Sequence, residues 1–173
     1  MTNFYKLHLL ICVSLFLIFE NRPGHSGGLC NSLKKDGIQC CHNGGEYGQP
    51  QINDDVNNKS ITIVKSLFQE MARLFPDETF DIGGDETGST PPCTMNNTRS
   101  FEEKVINYVT TDLNKEVMGW EELLFKTGAA NGTTSTVIDS WARSDWQEAA
   151  KRGYKAVVSD NKIFYLDYKT TFR

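Results

Sequence analysis

Two glycines and two acids stand together in Asp81-Ile82-Gly83-Gly84-Asp85-Glu86, shortly after the apolar segment Leu74-Phe75-Pro76. Neighbouring side chains on a strand point to opposite faces. Adjacent carboxylates can therefore serve one site only where the strand has ended and the backbone turns. Gly83 and Gly84 permit such a turn and let another group approach the main chain closely. Two carboxylates meeting there could share one site. The motif alone also fits a solvated acidic turn.

Three aromatic residues narrow the choice. Trp120, in Gly119-Trp120-Glu121-Glu122, Trp141, in Ile138-Asp139-Ser140-Trp141, and Tyr165, in Phe164-Tyr165-Leu166-Asp167, each end a further apolar run. One aromatic at a strand end is ordinary core packing. Three at successive ends, beside an acid pair, point to a carbohydrate or acyl pocket. In a (β/α)8 barrel the C-terminal strand ends form the active-site face.

The elements that must carry these residues alternate. Residues 60–75 are apolar at helical spacing (Val64, Leu67, Phe68, Met71, Leu74, Phe75), with Pro76 just beyond. A strand is expected at 79–82 and a loop over Gly88-Ser89-Thr90-Pro91-Pro92-Cys93. A second helix opens with Ser100-x-x-Glu103, a capping-box pattern. Strands are expected at 116–120, 135–141 and 155–160, with a short helix between Trp141 and Tyr154 that starts near Asp145 and stops at Gly153. Strands alternating with helices predict βαβ units, a parallel sheet and an α/β class. Residues 22–59 are rich in Gly, Asn, Asp and Pro without a period and read as one long loop.

At 173 residues the chain fits a single domain, and its net charge of −4 comes without any run of Lys or Arg. Nucleic acid and anionic membrane surfaces are therefore poor partners. The five cysteines are Cys12, Cys30, Cys40, Cys41 and Cys93; no CxxC pair occurs, which argues against a structural zinc site. Sequons at Asn58, Asn96 and Asn131, beside spare cysteines, lean toward the secretory pathway, either lysosomal or extracellular. Residues 1–19 contain an apolar run, 7–19, after Lys6. It reads as a signal-like segment or a buried strand, and it is too short for a membrane span.

In order and spacing, the segments Leu74-Phe75-Pro76…Asp85-Glu86-Thr87, Gly119-Trp120-Glu121-Glu122, Ile138-Asp139-Ser140-Trp141 and Phe164-Tyr165-Leu166-Asp167 resemble glycoside hydrolase family 20, the β-N-acetylhexosaminidases. Pro23-Gly24-His25 resembles the segment that follows that family's third barrel strand. The resemblance implies a partial (β/α)8 TIM barrel over 20–173, with strands corresponding to the third through seventh. It also implies a retaining, substrate-assisted mechanism, in which the 2-acetamido oxygen of the substrate attacks the anomeric carbon and forms an oxazolinium ion. Glu86 would be the general acid/base, kept protonated by burial. Asp85 would hold the acetamido N–H, and Tyr165 would position the acetamido oxygen. Trp120 and Trp141 would wall in the acetamido methyl, His25 would tune the acid, and Asp167 and Glu122 would contact sugar hydroxyls. The substrates implied are N-acetylglucosamine or N-acetylgalactosamine glycosides, with no cofactor and no metal, and a homo-oligomer is left open. A disulfide from Cys93 to Cys40 or Cys41 is implied as well.

The chain departs from the family pattern at Asp81, where a histidine is usual, and at Asn21, where an acid is usual. The family's strand-one arginine, second-strand acid and last pocket tryptophan find no counterpart. A barrel typically needs about 250 residues, so a fragment that is unstable or inactive by itself is expected. Two alternatives stand beside the hydrolase. One is a non-catalytic sugar-binding or regulatory fragment that uses the same aromatic pocket. The other is a GGDEF-type nucleotide cyclase, against which Thr87 stands in place of the signature phenylalanine.

Overall fold

The computed structural model describes residues 29–30, 33–41, 51–52, 58–87, 94–142 and 145–165. The apolar run at 7–19, His25, Cys93 and Asp167 lie outside the described residues. In chain order come a 3-10 turn (Lys34–Asp36), β1 (Cys40–Cys41), β2 (Gln51–Ile52), α1 (Lys59–Leu74), β3 (Thr79–Asp81), α2 (Met95–Asn107) with a π turn after it (Tyr108–Asp112), and β4 (Glu116–Trp120). They are followed by α3 (Glu122–Phe125), β5 (Val137–Ser140), α4 (Trp146–Lys151), β6 (Lys155–Val158) and α5 (Asn161–Phe164).

The main sheet is parallel and runs β3-β4-β5-β6, in the order of the sequence. Successive strands thus lie side by side with a helix between each pair. No strand order reverses, as it would in a doubly wound sheet. The sequence is part of a (β/α)8 barrel. Registry pairs Phe80 with Val117, Gly119 with Ile138 and Ile138 with Ala156. Because partners in register share a face, these residues form one apolar surface, and the helices cover it. Phe68 of α1 meets Phe80 with ring centroids 4.8 Å apart. Such a pair adds about 1 kcal/mol to what area burial alone supplies. On the opposite face Trp120 stands in register with Asp139, and Asp139 with Val157.

Several expectations need correction. Residues 22–59 are not a plain loop, since they carry the 3-10 turn and the antiparallel pairing of β1 with β2. α2 starts at Met95, not near Ser100; Thr94 is its cap, and its hydroxyl accepts from the Asn97 N–H at 3.2 Å. Glu103 pairs with Arg99 one turn earlier at 2.7 Å, a helix-surface ion pair and not a capping contact. Leu74 ends the apolar stripe of α1 but is 65% exposed. Tyr165 follows the short helix α5 and does not end a strand.

Cys30 is bonded to Cys40, so the Cys40 alternative for Cys93 is withdrawn. Cys41 is disulfide-bonded too. Among the described residues β3 and β6 are the edges of the sheet. At the β6 edge Val157 and Val158 are about two-fifths exposed, and Ile163 and Phe164 of α5 are open to solvent. An apolar parallel edge of this kind is normally covered.

Candidate active site

The acid turn is built on close backbone contact. Pairing between β3 and β4 continues past Asp81: the Ile82 N–H donates to the Met118 carbonyl and the Trp120 N–H to the Gly83 carbonyl, both at 2.9 Å. The chain then turns through Gly83 (φ 75°), Gly84 (φ 98°) and Glu86 (φ 50°). A Cβ on Gly84 would lie 2.7 Å from Leu123 Cδ2; one on Gly119 would lie 2.7 Å from the Gly83 carbonyl. Glu86 has no glycine excuse for its left-handed conformation, which costs an L-residue about 1–2 kcal/mol. Asp81, the unexpected third carboxylate, accepts the Gly83 N–H at 2.8 Å and so braces the start of the turn.

The aromatic residues gather beside it. Trp120 and Trp141 meet edge to face with centroids 6.3 Å apart. Trp141 and Tyr165 stack 6.2 Å apart at 18°. The stack is held from behind, because the Asn161 N–H at the start of α5 donates to the Trp141 carbonyl at 2.8 Å. Asp160 caps the same helix, accepting the Lys162 N–H at 2.9 Å. Asp85, Glu86, Trp120, Trp141 and Tyr165 are all half-buried, as a pocket open to ligand requires.

Two further acids follow Trp120, and both are buried. Glu122 accepts the Glu86 N–H at 3.2 Å, and the Trp141 indole Nε1–H lies 3.3 and 3.4 Å from its two oxygens. Burial pushes its carboxyl up to about 7, with the Glu121 charge adding, while the backbone N–H groups and the indole pull it back. Glu121 takes the Ser140 hydroxyl at 2.7 Å and the Ala142 N–H at 3.2 Å. Deeper still, Glu102 of α2 is wholly enclosed, and its carboxyl is pushed up to about 8. Burial is again the main cause, followed by the opposing Thr127 hydroxyl and then the charges of Glu122 and Glu103.

The sequence-predicted residues Asp85, Glu86, Trp120, Trp141, Tyr165 and Glu122 therefore share one region, whereas His25 and Asp167 lie outside the described residues. Glu121 and Glu102 are functional candidates that sequence reasoning passed over. Glu121 shares a motif with Glu122, and its position one residue past the end of β4 was the available signal. Among the described residues no cluster of His, Cys, Asp or Glu is arranged to hold a metal ion.

Comparison with known proteins adds a family. The model of the glycosyl hydrolase family 20 catalytic domain matches residues 18–172. The chain is 23% identical over 178 residues to beta-hexosaminidase 1 of Coccidioides posadasii, covering 84% of this chain and 29% of that protein. It is 27% identical to beta-hexosaminidase 1 of Arabidopsis thaliana, covering 66% and 24%. It is 29% identical to beta-hexosaminidase subunit A2 of Dictyostelium discoideum, covering 70% and 25%. The chain thus spans 24–29% of the length of these relatives. A family match over nearly all of its length makes it a member of glycosyl hydrolase family 20.

Proposed function

We propose that this member of glycosyl hydrolase family 20 carries the acid–base wall of a β-N-acetylhexosaminidase site, which removes terminal non-reducing N-acetylglucosamine or N-acetylgalactosamine. The observation that supports this most directly is the convergence of the Asp85-Glu86 turn with Trp120, Trp141 and Tyr165, cross-linked through Glu122.

In this reading the substrate supplies its own nucleophile. Its acetamido oxygen bonds to the anomeric carbon as the glycosidic C–O bond breaks, and Glu86 delivers its proton to the departing oxygen. The product of that step is an oxazolinium ion. Glu86, now a carboxylate, takes a proton from water as the water oxygen opens the ring, restoring the acid and retaining the configuration. Asp85 accepts the acetamido N–H and balances the positive charge, an electrostatic contribution that grows as the site is dried. Tyr165 orients the acetamido oxygen, which converts the attack into a positioned intramolecular step. Trp120 and Trp141 enclose the methyl group. The Cys30–Cys40 disulfide supports a life in the secretory pathway, lysosomal or extracellular. No helix among the described residues is long and apolar enough to cross a membrane.

The test uses the protein as the cell makes it, assayed with 4-methylumbelliferyl N-acetylglucosaminide and with the matching glucoside. Hydrolysis of the first, none of the second, and loss of turnover in Glu86→Gln are expected. Equal hydrolysis of the glucoside, which has no acetamido group, would overturn the substrate-assisted reading. Failure to cleave any N-acetylhexosaminide would overturn the function.

A further inference from the structure

β4 lies between β3 and β5 in the sheet. The two acids that follow it reach in both directions. Glu121 bonds to Ser140 and Ala142, the two neighbours of Trp141 in the chain, and its own N–H donates to the Asp139 carbonyl at 2.8 Å. Glu122 bonds to the Trp141 indole on one side and to the Glu86 N–H on the other. Both carboxyls are nearly excluded from solvent, and the protein donors named here occupy oxygens of each. Glu86 is held in a left-handed conformation at the very residue whose N–H Glu122 accepts. We propose that Glu121 and Glu122 are a positioning pair that locks the acid turn and the Trp141 wall into one geometry. The role rests on the hydrolase reading above and extends it: Glu122 acts through Glu86 and Trp141, and its part is not to grip a sugar hydroxyl.

The chemistry explains why carboxylates stand there. A carboxylate is an acceptor only, with two oxygens and about four lone-pair sites. It can take a backbone N–H and an indole N–H together. A glutamine offers a single acceptor atom: its oxygen, in the Oε1 place, can still take the Glu86 N–H, but its amide nitrogen, in the Oε2 place, sets a donor against the indole N–H that Oε2 faces at 3.4 Å. Glu122→Gln therefore keeps the volume and loosens the tie to Trp141. The acidic groups surrounding the pair are Glu86 from the turn and Glu102 from α2, beside Glu121 and Glu122 themselves.

The experiment measures kcat and KM of Glu122→Gln together with the Trp141 indole N–H resonance, assigned by its disappearance in Trp141→Phe. A fall in kcat of roughly 10- to 100-fold with KM little changed is expected, because small misplacements of a reacting group cost that much. The indole resonance should move, whereas in Glu86→Gln it should stay while turnover is lost. A raised KM at full kcat, with the indole resonance unmoved, would mark Glu122 as a sugar contact and overturn the proposal. If Glu122→Gln does not fold, Glu121→Met takes its place, since it removes both acceptors at similar length, and releasing Ser140 and Ala142 must displace the same resonance; an unmoved resonance there overturns the lock. A wild-type protein without hydrolase activity would defeat the function proposed above, yet the resonance would still decide whether the lock exists.

Discussion

Replacing Glu102 with glutamine should make the protein more stable at neutral pH and leave it unchanged in acid. Glu102 has its carboxyl pushed from 4.5 to about 8 by burial, with the Thr127 hydroxyl pulling the other way. In the unfolded chain this group loses its proton near 4.5, whereas in the folded protein it keeps it until about 8. Between those values the folded state holds more protons, so stability falls as pH rises. A shift of more than three units corresponds to roughly 4 kcal/mol by the upper end of the window, at 1.36 kcal/mol per unit. Glu122, pushed up to about 7, adds a slope of the same sign that remains in the variant. The two titrations are coupled, because the Glu122 charge helps hold the proton on Glu102. Glu102→Gln is neutral throughout and nearly isosteric. Urea denaturation at pH 4.5 and pH 8 should show superimposable midpoints for the two proteins in acid. At pH 8 the variant should be more stable by about 2–4 kcal/mol, or a rise of roughly 5–15 °C in Tm for a chain of this size. Parallel pH dependences for variant and wild type would refute the reasoning, since they would mean that Glu102 ionises in the folded state as readily as in the unfolded.

Two structural predictions follow from the close contacts and the cysteines. Gly119→Ala should cost about 3 kcal/mol or more in denaturant unfolding, because its Cβ would press on the Gly83 carbonyl, which is backbone and cannot swing aside; a loss below 1 kcal/mol would mean that β3 and β4 are less tightly apposed. Non-reducing peptide mapping should recover Cys30 linked to Cys40, and we expect Cys41 linked to Cys93; reducing the first bridge should remove about 3 kcal/mol by the loop-closure estimate for a separation of 10 residues. A Cys40–Cys93 peptide would contradict this arrangement.

The strands of the main sheet were legible because each is a short run bounded by a polar or glycine signal, whereas β1 and β2 fell inside what read as a loop. The run 116–120 is a strand end to end, and 135–141 lost only its outer residues. The start of α2 was misplaced: the sequence pattern put it at Ser100, but the cap is Thr94, six residues earlier. The added turn buries Thr98. The pairing of Cys40 and Cys41 was equally open in the sequence. In β1 adjacent side chains point to opposite faces, so the two cysteines cannot serve the same partner, and only the fold shows that Cys30 lies on the Cys40 side. Of the site, the acid pair, Trp120 and Trp141 were read from their place at or just past strand ends, whereas Tyr165 follows a helix. Glu102 could not be read, because a glutamate on an amphipathic helix ordinarily faces water, and nothing in its neighbourhood in sequence announces that it is enclosed.

The same local rule operates twice in this molecule. Two acids emerge together after β3 and again after β4, and their surroundings differ. Asp85 and Glu86, after β3, stand half-buried beside the aromatic residues. β4 is interior, so the acids after it meet protein on both sides and become fasteners. The acid turn after β3 and Ser140 of β5 are not neighbours in the sheet, because β4 lies between them. The end of β4 borders both, and two consecutive side chains reach one each way from it. Its sequence Trp-Glu-Glu supplies one aromatic residue to the pocket and two carboxylates to hold the neighbours of that aromatic in place.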